Sequence, residues 1–322
     1  MTLAQTELST EPRTGPLLPG HRPRRSNSSR RFRPLLILLI PGLLYFAIFR
    51  FWPMWGAQIA FRDYVPFLGI EKSPWVGFKH FELFFSNPDF PRLLTNTLVI
   101  AALTLFVAFP LTIVLALLLN ELRLNILKRT VQTLVYIPHF LSWTVVVSLT
   151  GLLFAFSTGP ISSLLDDLTG STTNYMGDAG WFRALILTQE IWKNTGWGTI
   201  IFLAALASVD QDQYEAAIID GAGRWHRVWH ITLPSIMSTV VVMLILQAGQ
   251  VMNTGFEQIY LMSNALNRSV ADVFDTYVYF AGIEQGAYSY STAVGLAKAI
   301  VGLILVFGTN WLAKRFNQSG IF

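Results

Sequence analysis

Two clusters of polar side chains interrupt stretches of this sequence that are otherwise apolar. Gln247, Gln250 and Asn253 recur at i, i+3 and i+6, with Glu257 and Gln258 just beyond them. Glu190 and Asn194 stand four residues apart, with Lys193 in the same turn and Trp192 and Trp197 nearby. A single ammonium, Lys298, lies in the last apolar run. On a helix, each of the first two sets shares roughly one face. Inside a membrane a charge costs about 3 kcal/mol near the centre on insertion scales, so such groups point to a solute pathway or to a partner helix. Interhelical amide bonds and a Glu190–Lys193 ion pair are the structural alternative, and both readings stay open at this level.

Other chemistry is excluded or unsupported. The chain has no cysteine, which removes disulfides, thiolate metal sites and cysteine nucleophiles. His139 has no second histidine at ligand spacing, so no metal site is expected. No G-x-x-x-x-G-K-[ST] cradle occurs, so ATP hydrolysis by this chain alone is not expected. No nucleophile–base constellation is visible, and no catalytic residue is assigned.

The elements that must position these groups are membrane helices. Of 322 residues, 52% are hydrophobic and 13% charged, where a soluble domain carries about a quarter charged. The apolar runs are continuous rather than alternating, which indicates helices and not a barrel. Spans are predicted near 34–52, 92–119, 131–156, 181–208, 233–252 and 291–313, giving an all-α integral membrane protein with six transmembrane helices. The fourth is the most interrupted, by Gln189, Glu190, Lys193 and Asn194. The first is longer than a signal-peptide core and lacks a following cleavage site, so an uncleaved helix is expected.

Residues 1–33, rich in Pro, Ser and Arg, read as a disordered basic tail, with the transmembrane domain over 34–322. That tail holds seven Arg against two Glu, more than the whole net charge of +4. A basic end beside an apolar helix is a topology signal rather than a nucleic-acid site. Arg123, Lys128, Arg129, Arg224, Arg227, Lys314 and Arg315 fall in connections on the same side as the tail, whereas 157–180 has no Lys or Arg and 253–290 only Arg268. Both termini are therefore expected in the cytoplasm, and the aromatic-rich segment 53–91 outside.

The cytoplasmic connection 211–234 carries the most specific pattern. Residues 212–220 favour a short helix, with Asp212 as candidate cap and Glu215 three residues later in a capping-box arrangement. Gly221 and Gly223 suit its end, a second helical stretch covers 224–232, and Pro234 opens the next span. Ala216 and Ala217 give a face small enough to seat in another protein's groove, and Glu215 and Asp220 can meet basic groups there. An ordinary interfacial loop helix would look the same on physical grounds alone.

Glu215-Ala216-Ala217, three residues, Gly221, nine residues, then Ile231-Thr232-Leu233-Pro234 resembles the signature loop of ABC-importer permeases. Tyr136-Ile137-Pro138-His139, Ser142-Trp143, Met252-Asn253, Gly255-Phe256-Glu257-Gln258 and Asp275-Thr276-Tyr277 resemble a narrower group, the oligosaccharide and polysaccharide permeases of binding-protein-dependent sugar importers, of which alginate-type importers are one kind. The resemblance covers about residues 34–322. It implies the type I importer permease fold in the bacterial cytoplasmic membrane. It also implies a second permease subunit, favoured to be a different chain, two ATPase subunits that bind ATP and Mg, and an external solute-binding protein that delivers a saccharide. Glu215, Ala216, Ala217, Asp220 and Gly221 would then couple to the ATPase. Gln247, Gln250, Asn253, Glu257, Glu190, Lys193, Asn194, Trp192 and Lys298 would line the path, meeting sugar hydroxyls with polar groups and ring faces with aromatic ones. An ion-driven secondary transporter using Glu190, Glu257 and Lys298 as a relay is the competing function; it does not account for the 215–234 loop.

Overall fold

A computed structural model describes residues 28–315, so the basic tail up to residue 27 lies outside the described residues. The chain divides into two units, Met1–Trp55 and Gly56–Phe322. In the first, helix α1 runs over Ser28–Phe46, so helix begins within the stretch expected to be tail, and continues through a π-turn, Ala47–Phe51, into Trp52–Met54. The π-turn has a local cause. Pro53 brings no N–H and its ring presses on the carbonyl four residues back. Widening the preceding turn, with Trp52 N donating to Ala47 O, moves that carbonyl aside.

The second unit is built on long helices: α2 Phe90–Glu121, α3 Asn125–Tyr136, α4 Trp143–Leu153, α5 Ala179–Ala207, α6 Gln211–Ile219, α7 Arg224–Gly249, α8 Phe256–Met262 and α9 Tyr288–Arg315. The proline device recurs in two of them. A π-turn at Thr104–Ala108 precedes Pro110 in α2, and one at Val228–Thr232 precedes Pro234 in α7. The expected separate stretch 224–232 is thus continuous with the span that follows it, because the π-turn absorbs the proline instead of breaking the helix.

Ile37–Phe61, α2, α7 and α9 are long and apolar enough to cross a membrane, and α3 with α4 makes a fifth if that bent pair is one span. The fourth expected span, α5, has 29 residues but not the uninterrupted apolarity, because its middle carries the polar cluster.

The span expected as one helix over 131–156 is bent by 102° between Phe140 and Trp143. At Pro138, which has no N–H to donate, no π-turn forms and α3 ends in a 3₁₀ turn, Ile137–Phe140. Leu141 and Ser142 are extended, and the Ser142 side chain accepts from Val145 N to start α4. The break exposes carbonyls that no helical N–H can reach.

α5 is the spine of this unit. Asp178 caps it by accepting from Gly180 N. Gly196 lies so close to the Val135 carbonyl that a Cβ there would overlap it, and Gly198 lies against Thr112. Small residues at such crossings let backbones approach, which is how helices pack when lipid is as apolar as their side chains. Around α5, one core joins Ile100, Phe182, Leu185 and Ile186 to Ile259, Met262, Ala271 and Val273. Another joins Ala116, Phe202, Leu206, Val209 and Ile236.

The segment 253–290, expected as an external connection, is therefore a folded scaffold. Asn96 ties it down, donating to Ser269 O and Asp272 O at 3.0 Å each and accepting from Arg183 at 2.9 Å. The span expected to reach residue 252 ends at Gly249.

Candidate functional site

α5 brings Glu190 and Asn194 to the wall of a cavity of about 240 Å³. α7 and the turn after it bring Gln247, Gln250 and Asn253 to the same wall. Thr104, Trp143, Thr254 and Gln258 complete its polar lining. A second cavity of about 130 Å³ shares Thr104, Glu190, Asn194 and Gln247 with the first and extends past Thr112 and Phe202. The four shared residues mark a polar waist between two spaces. Walls of this kind present amide and carboxylate groups to hydroxyls and an indole face to an apolar ring.

Hydrogen bonds fix the waist. Asn194 Nδ2 donates to both Glu190 carboxylate oxygens at 2.9 Å. Asn194 Oδ1 lies 3.0 Å from His139 Nδ1, and the His139 ring stacks on Trp197 with centroids 4.6 Å apart. Beneath it, buried Gln258 donates to Gln189 Oε1 and Ile186 O at 2.9 Å, and Gln189 donates to Thr150 Oγ1 at 2.8 Å. Gln250 accepts from Asn253 Nδ2 at 2.7 Å. Gln250 and Asn253 lie beyond the helix end, so a turn rather than the expected i, i+3, i+6 helical face places them with Gln247.

The remaining expected path residues are elsewhere. Lys193 forms no ion pair with Glu190; it is buried and donates to His139 O at 2.7 Å and to Leu141 O. Trp192 is exposed and lines neither cavity, and Glu257 is exposed. Lys298 pairs with Asp275 in a separate cavity of about 530 Å³ that shares only Asn253 with the polar waist's larger space. Asp275 also accepts from Thr254 N at 3.2 Å, which pins the turn carrying Asn253. None of these three cavities holds Glu190, Glu257 and Lys298 together.

Trp143, Thr104 and Thr254 were not singled out as lining residues from sequence. A tryptophan just after a cap serine gives no sign of which way it faces until the 102° bend is known.

The 211–234 loop forms the short helix α6, but its cap is Asp210, which accepts from Asp212 N at 3.0 Å, in place of the expected Asp212 with Glu215. Asp210 is the last residue with extended backbone, and so the one whose carboxylate can reach the first free N–H groups. α6 ends in a Schellman motif: Gly221 at φ +80°, its N–H on Ile218 O at 3.0 Å and Ala222 N–H on Ala217 O at 2.8 Å. Glu215, Ala216, Asp220 and Gly221 are exposed and Ala217 is half-buried. Tyr214 OH meets Thr232 Oγ1 at 2.9 Å, tying α6 to the π-turn of α7.

Residues 108–319 match the sequence profile of the binding-protein-dependent transport system inner membrane component family. The chain is 62% identical over 293 residues to protein LplB of Bacillus subtilis strain 168, covering 91% of this chain and 92% of that one. It is 54% identical over 288 residues to the polygalacturonan/rhamnogalacturonan transport system permease protein YteP of the same strain, covering 89% and 90%. Its fold is similar to a chain of a bacterial alginate ABC transporter, solved in complex with alginate pentasaccharide-bound periplasmic protein, with a TM-score of 0.83, 34% identity, and 92% and 100% of the two chains covered.

Proposed function

We propose that this chain, which belongs to the family of inner membrane components of binding-protein-dependent transport systems, forms one half of the path of an ATP-driven importer of oligo- or polysaccharide. The observation that carries the saccharide reading is the polar wall of the 240 Å³ cavity, where Glu190, Asn194, Gln247, Gln250 and Asn253 converge beside Trp143. It offers hydrogen-bonding groups and a ring face in one confined space, the two features a sugar presents in complement. The relatives named for pectic polysaccharide transport and the alginate importer support the same substrate class.

Within an ATP-driven importer, a chain without a phosphate cradle takes its ATPase from partner subunits. In this reading two ATPase subunits bind ATP and Mg, α6 seats in a cleft on one of them, and their closure on ATP draws α6 inward. The Tyr214–Thr232 contact passes that displacement to α7, and α7 carries Gln247 to the waist. A second permease subunit completes the path, and an external binding protein delivers the saccharide.

The absence of cysteine gives a direct test. Gln247→Cys places the only thiol of this chain at the waist. In the assembled transporter, a small thiol reagent is expected to label it, and a transported oligosaccharide to slow that labelling. Labelling indifferent to every saccharide that the complex transports contradicts the path.

A further inference from the structure

Lys193 is the one buried ammonium on α5, and the described residues show no carboxylate bound to it. Its partners all belong to the break between α3 and α4. Nζ donates to His139 O at 2.7 Å and to Leu141 O, and it lies 5.4 Å from the centroid of the Trp143 ring. The two carbonyls are those released when Pro138 stops α3 and the chain turns by 102°. A helix C-terminus carries partial negative charge, so an ammonium is the group best suited to it. The third contact is a cation over an indole face, favourable where water is excluded.

The same turn of α5 holds the joint from two further sides. Asn194 binds the His139 ring nitrogen, and Trp197 stacks on that ring. Gly196 lets the Val135 carbonyl approach the α5 backbone. Trp143, by contrast, is the first residue of α4 and reaches the cavity wall. Its direction depends on the bend, and the bend's free carbonyls end on Lys193.

We propose that Lys193 is a positioning residue: it caps the broken helix and sets the Trp143 ring against the cavity, without itself touching the solute. This rests on the saccharide-path reading of that cavity, and it replaces the expectation that Lys193 lines the path. Buried Lys193 then has a role that neither an ion pair nor a pathway cation would explain.

The test is a double-mutant cycle in the fully assembled transporter, read as the KM for import of an oligosaccharide delivered by its binding protein. Trp143→Leu is expected to raise KM about tenfold, the scale of losing one ring contact of about 1.4 kcal/mol. Lys193→Met is expected to raise it by a similar factor, and the double variant by no more than either alone, because both remove the same ring placement. Lys193→Arg, which keeps two donors and a planar cation for the ring, is expected to recover most of the affinity. Should Lys193→Met fail to assemble, Lys193→Gln, which keeps a donor for one of the two carbonyls but no cation for the ring, takes its place in the cycle. In that case KM must rise with Lys193→Gln alone and rise no further when Trp143→Leu is added. Multiplying factors in the Lys193→Met cycle, or a Lys193→Met protein that melts earlier with unchanged KM, would overturn the proposal. A Trp143→Leu protein with unaltered KM instead removes the saccharide role of the cavity, so the two failures are distinguishable.

Discussion

Gly196 and Gly151 show how much a single hydrogen can decide in this chain. A Cβ on Gly196 would overlap the Val135 carbonyl, a backbone atom that cannot swing aside, whereas one on Gly151 would meet nothing within 4 Å. Gly196→Ala must therefore push α5 from α3, at a cost of about 2 kcal/mol or more. Gly151→Ala gains about 1 kcal/mol of helix propensity in α4. Thermal melting in detergent is expected to place Gly196→Ala well below wild type and Gly151→Ala at or above it. Equal shifts would mean that the helices are not packed as closely as described. Asp63, in the segment 53–91, is a different case. The hydrogen bond from Lys79 holds its carboxyl below the ordinary carboxylate range. A carboxyl with a depressed value stabilises the fold above its unfolded pKa and loses that contribution as pH falls through its folded value. The pair is exposed, so the effect is small. Lys79→Met is expected to lower the melting temperature slightly at pH 7, and the difference from wild type is expected to shrink as pH falls and Asp63 takes up its proton.

At the scale of elements, α6 is held in shape by its two ends, since its composition gives it no buried residues of its own. Asp210→Ala removes a cap worth about 1 kcal/mol, and Gly221→Ala forces a side chain into a left-handed backbone at similar cost. Both changes loosen α6 without altering the face proposed to meet the ATPase. Glu215→Lys alters that face and leaves the helix intact. Transport by the complex is expected to fall severalfold with Asp210→Ala or Gly221→Ala, and to be abolished by Glu215→Lys with the subunits still assembled. Undiminished transport with Glu215→Lys contradicts the coupling role.

The spacing of this loop was legible in the sequence because glycine, proline and small residues have narrow local uses. The long apolar runs were legible because burial in lipid leaves a composition that needs no tertiary context. The bend at Pro138, the π-turns before Pro110 and Pro234, and the folded segment 256–284 were not. Proline in an apolar run can break a helix, widen it or merely start it, and only the neighbours decide. At Pro138 the break is accompanied by a neighbour more than fifty residues away, Lys193, which satisfies the carbonyls that it releases. The cavity wall was half legible: residue types named Glu190, Asn194, Gln247, Gln250 and Asn253, but composition could not separate them from Trp192 and Glu257, which are exposed, or from Lys193 and Lys298, whose partners lie far along the chain.

For the whole molecule, α5 decides the topology. It is the predicted span whose composition falls short of an ordinary membrane helix, and its crossing sets whether the number of spans is even or odd. A polar helix can cross when its polar groups are satisfied by protein rather than left to lipid. That condition is met here: Gln189 binds Gln258 and Thr150, Glu190 binds Asn194, and Lys193 binds the carbonyls of the broken helix. Crossing by α5, with α3 and α4 as one bent span, gives six spans and returns the chain to its starting side. The basic residues then lie inside, including Lys314 and Arg315 at the end of α9. Reporter fusions read this directly. Alkaline phosphatase joined after Gly170, before α5, is expected to be active, and joined after Gly223 or Arg315 to be inactive. A fluorescent protein should give the opposite pattern. If the fusions after Gly170 and Gly223 report the same side, α5 does not cross. In that case α6 would hang outside, beyond the reach of any cytoplasmic ATPase, and the proposed coupling would fail with the topology.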